Sequence, residues 1–177
     1  MRAIISIGSN IRPAENVRKS IALLSKHVRL LNVSNVYRSP AENRPDHPWF
    51  YNCAVMVETD LPAERLRIEV LAPIEADLGR VRTADKFAAR TIDLDLVVCL
   101  SATNGAPDGT TVAPDVLNHP YVAIPLAELG PELTVGKGGI PLGKAIERVP
   151  RDAIEALPDY SAALSRYVNA GHPCEKP

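Results

Sequence analysis

"RTIDLDLVVCL", Arg90–Leu100, decides how this chain folds. It reads as a hydrophobic strand interrupted by two carboxylates, Asp93 and Asp95. In a strand, residues i and i+2 point to the same face. Asp93 and Asp95 therefore project together, while Ile92, Leu94 and Leu96 face the other way into a core. The carboxylates leave by one face as the leucines enter by the other.

Working outward, "AIISIGS" near the start is a second buried strand, stopped at Gly8. Asn16 to Leu31 carries Val17, Ile21, Leu24, Val28 and Leu31 at helical spacing. "LLNVSNVYRSP" then alternates as one strand closed by Pro40. The proline-rich "PAENRPDHP" at 40–48 is a loop suited to binding. "WFYNCAVMVET" is a strong strand. Pro62 opens a helix expected over about 63–78, with Gly79 as its stop and Pro73 as a kink inside it.

The polar, basic "RVRTADKFAA" at 80–89 is a loop or short hairpin, and "SATNGAPDGTT" is an exposed turn. Short helices are expected near 122–129 and in "PLGKAIERV". The order β-α-β-β-α-β is the ferredoxin-like arrangement, an α+β fold with a mostly antiparallel sheet and helices packed on one face. A single domain over 1–160 is expected, with 161–177 as a partly disordered tail.

Composition narrows the function classes. The 177 residues are 46% hydrophobic with a net charge of -1, so no global basic field invites nucleic acid. No apolar stretch approaches the ~20 residues that span a bilayer, and "MRAIISIGSN" lacks a signal peptide's pattern. Cys53, Cys99 and Cys174 have no CxxC spacing and read as free thiols in a reducing cytoplasm.

Two carboxylates this close repel unless a cation sits between them. Magnesium is the natural candidate, since it takes oxygen ligands, few carboxylates and substrate phosphates. A solvated strand face paired to arginines is the plainer alternative. Arg80, Arg82, Lys86 and Arg90 lie just upstream, and arginine's planar fork suits phosphate. Carboxylate-held metal with arginines on phosphate oxygens is a recipe for phosphoryl transfer. There is no Walker loop and no kinase HRD or DFG set, so a different phosphoryl-transfer fold is required.

"SIGSN", "YRSP", "FYN", "LGRVR" and "RTIDLDL" occur in this order over about Ile4 to Leu133. Together they resemble the 6-hydroxymethyl-7,8-dihydropterin pyrophosphokinase family of the folate pathway. "GRVR" followed by "RTIDLDL" is its most specific part. The resemblance implies a ferredoxin-like fold and transfer of pyrophosphate from ATP to the pterin's hydroxymethyl oxygen. It implies two magnesium ions on Asp93 and Asp95, with Arg80, Arg82 and Arg90 catalytic at the phosphates. It places the pterin at Ser39, Pro40, Phe50, Asn52 and Tyr121. Nucleotide contacts fall at Glu75, Arg80, Arg82, Phe87, Arg90 and His119. The segments 41–49 and 81–89 correspond to mobile loops that close over substrates. The implied partners are pterin and ATP, with neighbouring folate-pathway enzymes, and neither nucleic acid nor membrane.

The sequence departs from the family pattern on the nucleotide side. Phe87 stands for a tryptophan, Ala88-Ala89 for Gly-Pro, Ala113 for a histidine, His119 for an arginine and Ala72 for a glutamine. These changes keep two further readings open: a paralogue with shifted substrate or weak activity, and a non-catalytic pterin- or nucleotide-binding protein. Both aspartates are retained, which favours the active enzyme.

Overall fold

A computed structural model describes residues 1–81, 83–85, 87–100, 111–136 and 139–170. The chain opens with strand β1 (Arg2–Ser9) and helix α1 (Pro13–His27). Pro13 sits in the first turn, where its missing N–H costs nothing. The helix ends at His27, four residues before the expected stop, because Val28 turns extended (φ -136°) and leads into β2 (Arg29–Val33).

The strand expected over "LLNVSNVYRSP" is split into β2 and β3 (Tyr37–Ser39). Both pair with β4 (Phe50–Glu58), β2 along its second half and β3 along its first. Ser34 bridges the break: its N–H donates to Ala54 O, while its Oγ accepts from Ala54 N–H at 2.9 Å. Helix α2 (Ala63–Arg65) continues through a π-wound segment (Leu66–Leu71) into α3 (Ala72–Asp77). Pro73 lacks an N–H and its ring would press on the carbonyl four residues back. The wider π turn just before it absorbs that conflict, so the expected kink appears as a change of winding.

Gly79 ends α3 with φ +76°. Gly79 N–H bonds Ala76 O and Arg80 N–H bonds Glu75 O, both at 2.9 Å. This is the paired Schellman closure. It delivers Arg80 back over the helix end toward β5 (Asp93–Leu100).

The main sheet runs β5-β1-β4-β3-β8, with β2 also on β4 and every pair antiparallel. Here β8 is Glu155–Ala156. Counting β2 and β3 as one interrupted strand, the order up to β5 is the ferredoxin-like β-α-β-β-α-β. One face carries Ile5, Ile7, Val55, Leu94 and Leu96 into a core with Ile21 and Leu24 of α1 and Leu66 and Ile74 of the second helical run.

The other face is covered too, which differs from the expectation of helices on one side. Ile4, Ala54 and Val98 point there and pack against Leu126 and Ala127 of α4 (Pro120–Leu129) and Leu142 of α5 (Leu142–Ala145). A buried apolar triplet on the second face must be roofed, and the C-terminal third of the chain supplies the roof. This roof stops short of the Asp93 end of β5, where the same face turns polar. A short parallel pair, β6 (Thr111–Val112) and β7 (Thr134–Val135), lies beside the roof.

Helix α6 (Pro158–Asn169) packs Leu164 and Val168 into the first core, and Val36 N–H donates to Ser161 Oγ at 2.8 Å. The domain boundary expected at 160 thus falls inside an ordered helix. Residues 171–177, with Cys174, and the expected turn at 101–110 lie outside the described residues. Cys53 and Cys99 are free thiols, and burial pushes Cys53 up to about 12, so it is inert at neutral pH. Among the described residues, no helix is long and apolar enough to cross a membrane.

Candidate active site

Sheet register assembles the site. Gly8 on β1 lies opposite Asp93 on one side and Asn52 on the other, and Ser6 lies opposite Asp95 and Ala54. Asp93, Gly8 and Asn52 therefore form a row across three strands at the unroofed end of the second face. Gly8 keeps the floor of this row open. A Cβ there would meet Asn52 Oδ1 at 3.2 Å and Phe50 Cδ1 at 3.9 Å. Asn52 is buried and donates from Nδ2 to Ser39 Oγ at 3.0 Å, which orients its amide.

Above this floor is a cleft of about 250 Å³. Ser39, Pro40, Phe50, Asn52 and Tyr121 line it, together with Phe87, Arg90, Asp93, Asp95 and His119. Ten residues singled out in the sequence, distant along the chain, thus meet around one cavity.

Glu75 and Arg80 do not line it. They stand behind Asp93 as its support. Arg80 pairs with both Glu75 and Asp93, and Arg90 pairs with the second oxygen of Asp93. Burial works against the charge of Arg80, but Asp93 and then Glu75 outweigh it and raise its pKa. Glu75 is 4% exposed and accepts the Leu94 N–H at 2.9 Å, so it braces both the arginine and the strand between the two aspartates. Arg82 lies outside the described residues. Ala72 and Ala113 are exposed and line no part of the cleft.

Asp95 differs from its neighbour. Its carboxylate accepts no hydrogen bond among the described residues. Its pKa is raised, first by burial and then by the charge of Asp93, against the pull of Arg80 and Arg90. A carboxylate held up by a like neighbour gains most from a cation. The donor set is oxygen only, which fits a hard divalent ion. Among the described residues no cluster of three or more His, Cys, Asp or Glu could hold a metal. A pair that leaves room for phosphate oxygens and water suits magnesium better than a closed protein cage.

Within the cleft, His119 Nδ1 lies 3.0 Å from Glu42 Oε1 and 3.1 Å from the Tyr121 hydroxyl. The rings of His119 and Tyr121 are tilted at 55° with centroids 5.6 Å apart. Burial and then Glu42 raise the Tyr121 hydroxyl's pKa above its ordinary range, so it stays a neutral donor. Glu42 carried no signal in the sequence, since a lone carboxylate in a proline-rich loop has no period to mark it. Gly8 read only as a strand stop, because its role depends on two neighbouring strands.

Residues 4–131 match the family described as 7,8-dihydro-6-hydroxymethylpterin-pyrophosphokinase (HPPK). A 2-amino-4-hydroxy-6-hydroxymethyldihydropteridine pyrophosphokinase of Methylorubrum extorquens is 33% identical over 161 residues, covering 88% of this chain and 98% of that protein. The enzyme of the same name from Pseudomonas aeruginosa is 29% identical, covering 89% of this chain and 97% of that protein. A folic acid synthesis protein of Pneumocystis carinii is 32% identical over 82% of this chain, which spans 20% of that longer protein. With the match extending through the strand that bears Asp93 and Asp95 and the helix that bears Tyr121, this chain belongs to the 7,8-dihydro-6-hydroxymethylpterin-pyrophosphokinase family.

Proposed function

We propose that this protein transfers the pyrophosphoryl group of ATP to the hydroxymethyl oxygen of 6-hydroxymethyl-7,8-dihydropterin, giving AMP and the pterin diphosphate for folate synthesis. One observation carries the reading. The carboxylate face of β5 opens into the same cleft as Phe50, Asn52 and Tyr121.

The pterin's flat ring fits between Phe50 and Tyr121, with the amide of Asn52 at its polar edge. Asn52 is held by Ser39, so its donor and acceptor are preset for the ring. The hydroxymethyl group then faces the Asp93 end of the cleft. Its oxygen bonds to the β-phosphorus of ATP. The bond from that phosphorus to the oxygen bridging to the α-phosphate breaks, AMP leaves, and the hydroxyl proton passes to water.

Asp93 and Asp95 would hold the two magnesium ions. The ions supply charge that draws electron density off the triphosphate and orients its oxygens. Arg90 lines the cleft and stands ready to turn from Asp93 to a phosphate oxygen. Arg80, gripped by Glu75, keeps Asp93 in place as Arg90 turns. Phe87 and His119 line the same cleft and would meet the nucleotide, His119 through a ring nitrogen. The free thiols of Cys53 and Cys99 fit the reducing cytoplasm, where ATP and pterin are met as small molecules.

The test is direct. Protein, ATP, magnesium and 6-hydroxymethyl-7,8-dihydropterin are mixed and AMP is followed. AMP should form one for one with the pterin diphosphate. No AMP at high enzyme concentration would sink the reading.

A further inference from the structure

The two loops that flank the cleft are joined at their roots by one buried side chain. Asn10, 1% exposed, lies just past the end of β1. Its Nδ2 donates to Pro48 O at 3.2 Å, and its Oδ1 accepts the Arg90 N–H at 2.7 Å. Pro48 closes the loop at 40–48, and Arg90 closes the loop at 80–89. The partners settle the amide's orientation, because a carbonyl can only accept and an N–H can only donate. Backbone bonds clamp the same point: Asn10 and Ile11 N–H both donate to Arg90 O at 3.1 Å, and Ser9 Oγ donates to Thr91 O at 2.6 Å.

Each loop end is next to a residue of the cleft. Pro48 is two residues before Phe50, on the pterin side. Arg90 itself lines the cleft and pairs with Asp93, on the phosphate side. The loops meet again farther out, where Arg44 Nη2 lies 2.6 Å from Asp85 Oδ2. Asp85 Oδ1 in turn accepts the Phe87 N–H at 2.9 Å. That outer pair is exposed and weak by nature. The buried amide is the stiffer joint, since a polar group out of water has no alternative partner.

We propose that Asn10 is a positioning residue that couples the two substrate subsites. Its amide links the backbone beside the pterin stack to the backbone of the phosphate-facing arginine. A nucleotide that draws on Arg90 therefore presets Pro48 and Phe50, and pterin then binds a loop already in place. The inference rests on the pyrophosphokinase reading above.

The chain's single tryptophan, Trp49, sits between Pro48 and Phe50 and is half-exposed under the Arg38 guanidinium at 5.1 Å. It reports the pterin-side loop end. In the wild-type protein, α,β-methylene-ATP with magnesium should shift Trp49 emission before any pterin is added. Calorimetry should show tighter pterin binding with that analogue than without it. Asn10→Asp keeps the size and the bond from Arg90 but sets a carboxylate against Pro48 O. It should lose the emission shift and reduce the nucleotide's effect on pterin affinity about fivefold, the scale of one hydrogen bond. Asn10→Ser, which drops both bonds, should do the same. A wild type that makes AMP yet shows neither response would overturn the coupling while leaving the reaction intact. Variants with a lower Tm but undiminished coupling would show a merely structural role and overturn it as well. Should both variants fail to fold, a wild type with neither response still overturns the coupling.

Discussion

Glu75 accepts the Leu94 N–H at 2.9 Å while its carboxylate also pairs with Arg80. Leu94 is the residue between the two aspartates, so a helix residue holds the backbone of the carboxylate-bearing strand and the arginine behind it. Removing this buried carboxylate leaves the Leu94 N–H without its acceptor and Arg80 with Asp93 alone. Glu75→Ala should cost about 3–5 kcal/mol, the range for breaking a buried pair. Glu75→Gln, which can still accept from Leu94, should cost less. Urea unfolding of the two variants measures the gap, and equal losses would contradict the bracing role.

Asp95 accepts no hydrogen bond among the described residues, so its loss should leave the fold alone. Asp95→Ala should keep Tm within a few degrees while AMP formation falls by about 10² or more, as when a charge-stabilising group is removed. Full turnover by this variant would refute the metal assignment.

Metal removal should act on rate rather than on folding. EDTA should abolish AMP formation and leave the circular dichroism unchanged, with activity returning on excess magnesium. No third protein ligand completes a cage among the described residues, so the ion should not be a structural element.

Gly8→Ala tests the floor of the cleft. The added methyl would press on Asn52 Oδ1 at 3.2 Å, at the proposed pterin site. The KM for pterin should rise about tenfold, the cost of overpacking by one methyl at ~1–3 kcal/mol, while the KM for ATP stays near the wild-type value. A change confined to ATP would place the pterin elsewhere.

Leu164 of α6 is 2% exposed in the main core. Leu164→Ala should cost about 2–5 kcal/mol by thermal or chemical unfolding. A loss near zero would mean that α6 is as dispensable as the tail the sequence suggested.

Much of the fold was legible in the sequence because it rests on local periodicity. Alternation in "TIDLDLVV" and the helical spacing of Val17, Ile21 and Leu24 name their elements without reference to distant residues. The break at Ser34 was not legible. It depends on a side-chain oxygen standing in for a ladder bond to Ala54, twenty residues on. The second helical layer was hidden for a similar reason: the pleat sends Ile4 and Ile5 to opposite faces, but nothing local says what covers the Ile4 face.

The sequence by itself determined that Asp93 and Asp95 share one face, since the pleat of a strand has a period of two whatever surrounds it. The order of its motifs also determined the family. Only the tertiary structure decided which carboxylate is engaged and which is open. Asp93 is held by Arg80 and Arg90, and Asp95 is not, because the turn at Gly79 aims Arg80 at one position of the strand. It also decided that Asn10 joins the two loop roots and that Glu42 meets His119. Such pairings depend on strand register and loop closure across the whole chain, and those emerge only when the separate segments pack.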